Sequence, residues 1–244
     1  MITALAILGP TACGKSAAAM RLARDGGAEI ISVDSRQAYR RLDIGTAKPT
    51  AEERRLVPHH LIDIIDIREK NDAATFARMA REAIRAIAGR GRLPILAGGS
   101  GLYFRAVSEG LFNIALAGRD RAAFAGSIAG LSDEELRRRL IAADPESARR
   151  IHPNDRYRIV RALEVFELSG IPLAEHLKRR RAESGDGEIR FVRVGLELPR
   201  HELHRRIDAR TEAMLARGWV DEVRTRLGEG ADPDSPGMKT LGYP

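Results

Sequence analysis

Four short, mostly apolar stretches set the outline of this chain. Residues 3–8 (TALAIL), 28–33 (AEIISV) and 93–97 (LPILA) are near-continuous hydrophobic runs, the pattern of strands buried on both faces. Residues 189–196 (IRFVRVGL) form the fourth. Between them the hydrophobic period changes to that of a helix. Over residues 73–88, Phe76, Ala80, Ile84 and Ile87 share one face, and Arg78, Arg81 and Arg85 lie off it. A helix is also predicted over 15–24, ended by Asp25-Gly26-Gly27. This alternation predicts an α/β fold whose parallel sheet is flanked by crossover helices.

The middle of the chain reads differently. Residues 132–143 open with SDEE, and Ser132 with Glu135 three positions later predicts a capping box. A second helix is predicted over 154–168, closed by Gly170 and Pro172, and a third over 173–182, ending in Lys178-Arg179-Arg180-Arg181. Residues 183–188 (ESGDGE) read as a loop, and 200–217 and 219–227 as helices after the last strand. The expected organisation is an α/β core of residues 1–112 and 189–244, interrupted by a helical insertion, 113–188.

Composition narrows the class. The 244 residues are 43% hydrophobic and 31% charged, as in globular proteins, and include one cysteine. That excludes a disulfide framework and a multi-cysteine zinc site and suits a reducing compartment. The N-terminal apolar run is short and lacks a basic flank, and no stretch reaches the roughly 18–20 apolar residues of a membrane span. A cytoplasmic protein is expected. The net charge is +7, and most basic residues are Arg. Two readings stand: phosphate-bearing or nucleic-acid partners, or a solvated Arg-rich surface.

The strongest motif is Gly9-Pro10-Thr11-Ala12-Cys13-Gly14-Lys15-Ser16, which fits G-x-x-x-x-G-K-[ST] after a strand and before a helix. Its glycines let backbone N–H groups converge on phosphate oxygens, the helix N-terminus adds its positive end, Lys15 adds a cation, and Ser16 can hold Mg²⁺. ATP hydrolysis would also call for an acid at the end of an apolar strand. LPILA instead runs into Gly98-Gly99, although acids follow other apolar residues at Asp63 and Asp66. A diphosphate that is not a nucleotide therefore stays open.

Weaker signals surround it. Asp34-Ser35 lies at the carboxyl end of the second strand, where open α/β sheets bind ligands, so Asp34 is either a general base or a turn-capping Asp. Gly98-Gly99-Ser100-Gly101 is a second glycine turn after a strand. Arg149, Arg150, His152, Arg156, Arg158 and Arg161 form either a face for a nucleic-acid backbone or a solvated helix face. Arg206 and Arg210, four apart, either close over a diphosphate or pair with Glu202, Asp208 or Glu212. His59-His60 lacks zinc-helix spacing and is read as packing or capping locally, and Cys13 as loop filler.

Taken together the chain resembles the bacterial tRNA dimethylallyltransferases, the tRNA isopentenyltransferase family. The segments that carry the resemblance are GPTACGKS (9–16), ISVDSRQAYRRLDIGTAKP (31–49), HHLIDI (59–64), GGSGLYFRA (98–106), IHPNDRYRIVRALEVF (151–166), RIDART (206–211) and LGY (241–243), in family order. The resemblance implies a P-loop NTPase-like core. It implies transfer of a dimethylallyl group from dimethylallyl diphosphate to N6 of adenosine 37 in the tRNA anticodon stem-loop, with diphosphate released and Mg²⁺ as cofactor. In that family the ATP-type loop holds the prenyl diphosphate.

By the same resemblance Gly9 to Ser16 bind the donor, and Asp34 is the base for the adenine amine, with Lys15 and Ser100 also in the catalytic set. Asp34, Ser35, Arg36 and Gln37 meet the target base and its neighbours. Ser100, where relatives usually carry Thr, and Arg121 match further tRNA contacts. Tyr157 (commonly Gln), Arg158, Ile159, Val160 and Arg161 match a tRNA-contacting helix, and Arg206 and Arg210 match diphosphate ligands. A monomer is expected. The family continues past its Gly-Tyr pair with a basic helical segment, so a chain ending at Pro244 is expected to be truncated or naturally short. No eukaryotic-type C-terminal zinc finger is present, which favours a bacterial source. Three rivals stand beside this reading: a small-molecule kinase, an adenylate isopentenyltransferase, which the basic segment 151–161 argues against, and a non-catalytic RNA-binding remnant.

Overall fold

The computed structural model describes residues 1–110, 121–183, 187–240 and 242–243, with residues 180–183 as backbone alone. The expected junction at 112/113, residues 184–186 of the 183–188 loop, the side chains of Arg180 and Arg181, and Leu241 of the terminal LGY lie outside the described residues. The chain divides into two compact units, Met1–Leu111 with Gly187–Pro244, and Phe112–Asp186.

The first unit begins with β1 (Ile2–Leu8), α1 (Lys15–Gly26), β2 (Glu29–Ser32), α2 (Ala51–Leu56), β3 (His59–His60), α3 (Ala73–Gly89), β4 (Pro94–Ala97) and α4 (Gly101–Glu109). The second unit contains α5 (Arg121–Ile128), α6 (Asp133–Ala143), α7 (Pro145–Arg150), α8 (Arg156–Ser169) and α9 (Leu173–Glu183). The chain then returns to the first unit with β5 (Ile189–Gly195), α10 (Arg200–Ala216) and α11 (Trp219–Gly228).

The sheet is five-stranded in the order β3-β2-β4-β1-β5, and every pairing is parallel. Ile95 of the central strand is flanked by Leu5 and Ile30. β2 and β4 are buried at every position, which is why their sequences run apolar without alternation. One face packs Phe76, Ala80, Ile84 and Ile87 of α3, with Tyr103, Phe104 and Val107 of α4, against Ala4, Ala6, Ile31, Val33 and Leu96. Ala19 and Ala23 of α1 press on Ile7, Ile30 and Ile95 from the other face. Small side chains there let α1 lie close to the sheet, which aims its N-terminus at the strand ends.

Five short elements escape the sequence pattern, each for a local reason. β3 is two residues long and has no period to read. The helix α2 (AEERRL) has no buried face and forms through its cap: Thr50 Oγ1 accepts from Glu53 N and Glu53 Oε2 accepts from Thr50 N. The Gly98–Gly101 run hides the start of α4. α5 and α7 are only eight and six residues. In the second unit Leu136, Leu140, Ile159 and Ala162 are fully buried together. Asp144 is buried there and starts two helices: one carboxylate oxygen accepts from Ser147 N (2.9 Å), the other from Ala174 N (3.0 Å).

Glu29, at the amino end of β2, is buried and ringed by base. Arg90 reaches it through Nη2 (2.7 Å) and Nε (3.2 Å), and His60 Nε2 lies at 2.6 Å. The Arg90 hydrogen bond, against the opposing cost of burial, holds its carboxyl below the usual range, with His60 adding to the effect. A carboxylate depressed in the folded state stabilises the fold above its unfolded pKa, and the contribution is lost as pH falls through the folded value. Glu29→Gln is therefore expected to melt several degrees below the parent at pH 7, with the gap closing as pH drops below about 4. Paired thermal melts across pH 3–7 check this; a gap independent of pH would show that charge plays no part.

Candidate functional site

The carboxyl ends of β1, β2 and β4 open on one edge of the sheet, and three turns leave from it. The first is the phosphate-type loop. Gly9 has φ 148°, and a Cβ there would lie 2.4 Å from Leu196 O, so only glycine fits between β1 and the chain leaving β5. Gly14, at φ 99°, caps α1 and turns its first N–H groups toward the loop. Lys15 is buried, and its ammonium folds back to donate to Gly9 O (2.9 Å) and Pro10 O (2.6 Å), closing the loop on itself. Cys13 is buried against this turn, as expected of filler.

The second turn carries Asp34. Its Oδ1 accepts from Arg36 N (2.9 Å), the turn-capping bond the sequence allowed. Oδ2 has no hydrogen-bond partner among the described residues and lies beside Gly99, whose missing side chain leaves that side open. Ser35 is fixed from two directions. Ser100 Oγ accepts from Ser35 N (3.0 Å) and donates to Ser35 Oγ (3.2 Å), while Asn71 Nδ2 donates to Ser35 O (2.8 Å). Tyr103 in turn donates to Asn71 O (2.8 Å); burial pushes that phenol up to about 12. Gly98 is obligatory, because a Cβ there would meet Val33 O at 2.1 Å. Turning and holding Asp34 thus falls to Ser100, Gly98 and Asn71. Asn71 was invisible to motif reading, since its role exists only across the fold.

The turn after β4 is Gly98–Gly101, and further along the connection from β2 to β3 lies the DIGTAKP segment (43–49), whose sequence is architectural. Lys48, 1% exposed at its side chain, donates to Tyr39 O (2.6 Å), Asp43 Oδ1 (2.7 Å) and Asp63 Oδ1 (2.5 Å). Burial pushes the Asp63 carboxyl up, but bonds from Lys48 and Arg54 outweigh it and hold the group below its usual range. Gln37 bridges this segment to β2: its Oε1 accepts from Ser32 Oγ (2.7 Å), and its Nε2 donates to Ala47 O (2.8 Å) and Thr46 O (3.2 Å). The Gln37 amide, expected to meet RNA, is thereby engaged within the protein. On the outer side Glu222 of α11 accepts from Asp43 N (2.7 Å), Ile44 N (2.9 Å) and Gly45 N (3.3 Å), and Tyr243 donates to it (2.6 Å). Gly45 packs flat on Trp219, 2.0 Å from where its Cβ would be.

These turns and α10 enclose a cavity of about 430 Å³. Thr11, Ala12, Gly14, Lys15 and Ser16 line one side, Asp34, Gly98 and Gly99 another, and Ala47, Lys48 and Pro49 a third. Arg206 and Arg210 project into it from α10. Arg210 Nη1 donates to Thr11 Oγ1 (3.3 Å), and Arg206 Nε to Glu202 Oε1 (2.8 Å). Of the acid pairings weighed for these two, the structure shows Arg206 with Glu202. Asp34 and Glu53 are the acids of the lining, and Glu53 is engaged in the cap of α2. Asp63 and Asp66, weighed as an ATPase acid, are held by Lys48 with Arg54 and by Arg68. Donors that converge on an anion stand beside one available carboxylate, a set suited to holding a phosphoryl-type leaving group while a proton is taken from a neighbouring nucleophile.

The remaining candidates lie in the second unit. Tyr157 is 82% exposed on the first turn of α8, beside Arg158. Arg158 pairs with Asp155 (2.9 Å), Arg161 with Glu164, and Arg121 with Glu164 (3.4 Å). Val160 is half-buried. Ile159 does not belong to this surface: its side chain is fully buried in the helical core, one position around the helix from the exposed residues.

Residues 37–244 match the IPP transferase family model. The tRNA dimethylallyltransferase of Halorhodospira halophila is 50% identical over 98% of this chain and 77% of its own length. That of Geobacter metallireducens is 46% identical over 97% of this chain and 76% of its own. The crystal structure of the tRNA isopentenylpyrophosphate transferase from Bacillus halodurans superposes with a TM-score of 0.69 at 36% identity, covering 100% of this chain and 75% of that one. A eukaryotic dimethylallyltransferase acting on tRNA matches with a TM-score of 0.75 at 26% identity, over 96% of this chain and 58% of its own.

If the cavity is an anion site, Lys15→Ala keeps the fold but weakens inorganic diphosphate about tenfold or more, the scale of a charge-assisted hydrogen bond. Isothermal titration of parent and variant, with a thermal melt as control, measures it. Equal affinities would move the anion elsewhere.

Proposed function

The chain belongs to the IPP transferase family, and on that premise we propose that it transfers a dimethylallyl group from dimethylallyl diphosphate to N6 of adenosine 37 of tRNA, releasing diphosphate. The observation that carries the residue assignment is the convergence of the phosphate-type loop, two α10 arginines and Asp34 on one cavity. The N–H groups at the start of α1, with Lys15, Arg206 and Arg210, receive the diphosphate. Charge grows on the oxygen that leaves C1 as the C1–O bond breaks, and these donors stabilise that charge on the departing diphosphate.

The exocyclic amine of adenine is a weak nucleophile. Asp34, held by Arg36 N at one oxygen and open at the other, accepts the N6 proton as the N6–C1 bond forms. Ser100 keeps the Asp34-Ser35 turn in place, so its part is positioning. Mg²⁺ commonly binds through one or two protein oxygens plus phosphates, and the Ser16 hydroxyl beside the loop fits that demand. When bound, the ion would neutralise part of the diphosphate charge. The adenine must leave its stack to reach Asp34. In the second unit Tyr157 with Arg158 and Arg161 offers an aromatic surface among cations, the combination that suits an unpaired RNA loop.

No helix among the described residues is long and apolar enough to cross a membrane. The reading places the reaction in the cytoplasm, where tRNA is, with a monomer as the acting unit.

The direct test is nucleoside mass spectrometry on a tRNA with adenosine at positions 36 and 37, incubated with the chain, Mg²⁺ and dimethylallyl diphosphate. N6-dimethylallyladenosine is the expected product; modification at another nucleoside would sink the assignment. Asp34→Asn is expected to bind tRNA normally while transfer falls about 10²-fold or more, the contribution of a general base. Near-parental turnover in that variant would remove Asp34 from the role.

A further inference from the structure

Arg206 and Arg210 both line the cavity, yet they are held differently. Arg210 is docked on the loop through Thr11. Arg206 is tethered from behind, its Nε donating to Glu202 Oε1 one helical turn earlier. A guanidinium has five N–H donors in a rigid plane. Tying it at Nε leaves Nη1 and Nη2, the pair whose spacing matches two phosphate oxygens.

Glu202 is itself fixed from the other side. Arg205 Nε and Nη2 donate to its two oxygens at 2.9 and 2.8 Å. The carboxylate therefore does not depend on Arg206 for its place. Arg206, and then Arg205, hold its carboxyl below the usual range, so it stays ionised near neutral pH. This tether matters because packing supplies little restraint. Of the 17 residues of α10, Met214 alone is buried, and the Arg206 side chain is 45% exposed. A free arginine there would lose most of its rotamer freedom when a ligand arrived.

We propose that Glu202 is a positioning residue for the donor: it holds Arg206 with Nη1 and Nη2 presented to the diphosphate, so the ordering is done before binding. This rests on the reading of the cavity as the donor site. A carboxylate that instead competed with the diphosphate for Arg206 would have the opposite effect on removal, so the two roles differ in sign.

The test is steady-state kinetics with dimethylallyl diphosphate varied at saturating tRNA, together with calorimetric titration of inorganic diphosphate. Glu202→Ala is expected to raise the donor KM and the diphosphate Kd about fivefold, the scale of one long side chain's ordering, with kcat and tRNA KM unchanged. Glu202→Gln keeps an acceptor at Oε1 and is expected to recover most of the loss. Adding Glu202→Ala to Arg206→Ala is expected to change nothing further. An unchanged or lower donor KM in Glu202→Ala, or a loss that persists without Arg206, would overturn the proposal. Should the parent make no prenylated nucleoside yet bind diphosphate, the functional reading fails and the titrations alone decide the tether. A parent that does not bind diphosphate overturns both.

Discussion

A buried ammonium is tolerable only when each of its three N–H groups has an acceptor, and Lys48 meets that condition with Tyr39 O and Asp43 from the connection after β2 and Asp63 from just beyond β3. Tyr39 O, Asp43 and Asp63 must all come to it, and so the long connection between β2 and β3 is folded into a fixed wall. Gln37 ties that wall to β2, and Glu222 with Tyr243 ties it to α11. Trp219 fills the gap left by Gly45. Removing the charge would leave Tyr39 O without its donor and take from Asp43 and Asp63 the cation they share, loosening the wall that lines the cavity.

The site is a division of labour between rigid and lightly held parts. The sheet edge is over-determined: Gly9 and Gly98 admit no side chain, and Ser35 is held through its N–H, its hydroxyl and its carbonyl. The helix α10 rests on little buried surface, and its arginines take their orientation from polar contacts. On the proposed function, a base that takes a proton at one atom needs the first arrangement, and groups that receive and release a diphosphate can use the second.

DIGTAKP, part of one segment that carries the family resemblance, contains little that can touch a ligand. Its Asp, Gly, Thr and Lys are spent on the fold of the segment itself, and Ala47, Lys48 and Pro49 show the cavity only a wall. The Asp34–Gln37 segment divides likewise: Asp34 has an open oxygen, while Gln37 is consumed by Ser32, Thr46 and Ala47. Motif strength therefore does not measure closeness to the chemistry. A sequence pattern is kept equally well by a residue that reacts and by one that cannot be replaced in packing.

What the sequence determined alone was whatever depends on neighbours along the chain. The apolar runs of β2 and β4 dictate strands buried at every position, that of β1 a strand, the Phe76–Ile87 stripe dictates α3, and Gly9 to Ser16 dictates a loop that feeds a helix N-terminus. Each is local periodicity or local turn chemistry. The tertiary structure decided what depends on distant partners: that Asn71 and Ser100 hold Ser35, that Gln37 faces inward, that Ile159 is core while Tyr157 is exposed, and that Arg206 leans on Glu202 while Arg210 leans on Thr11. Those outcomes turn on which polar atoms compete for the same acceptor, and residues meet as competitors only after the sheet has brought its turns to one edge.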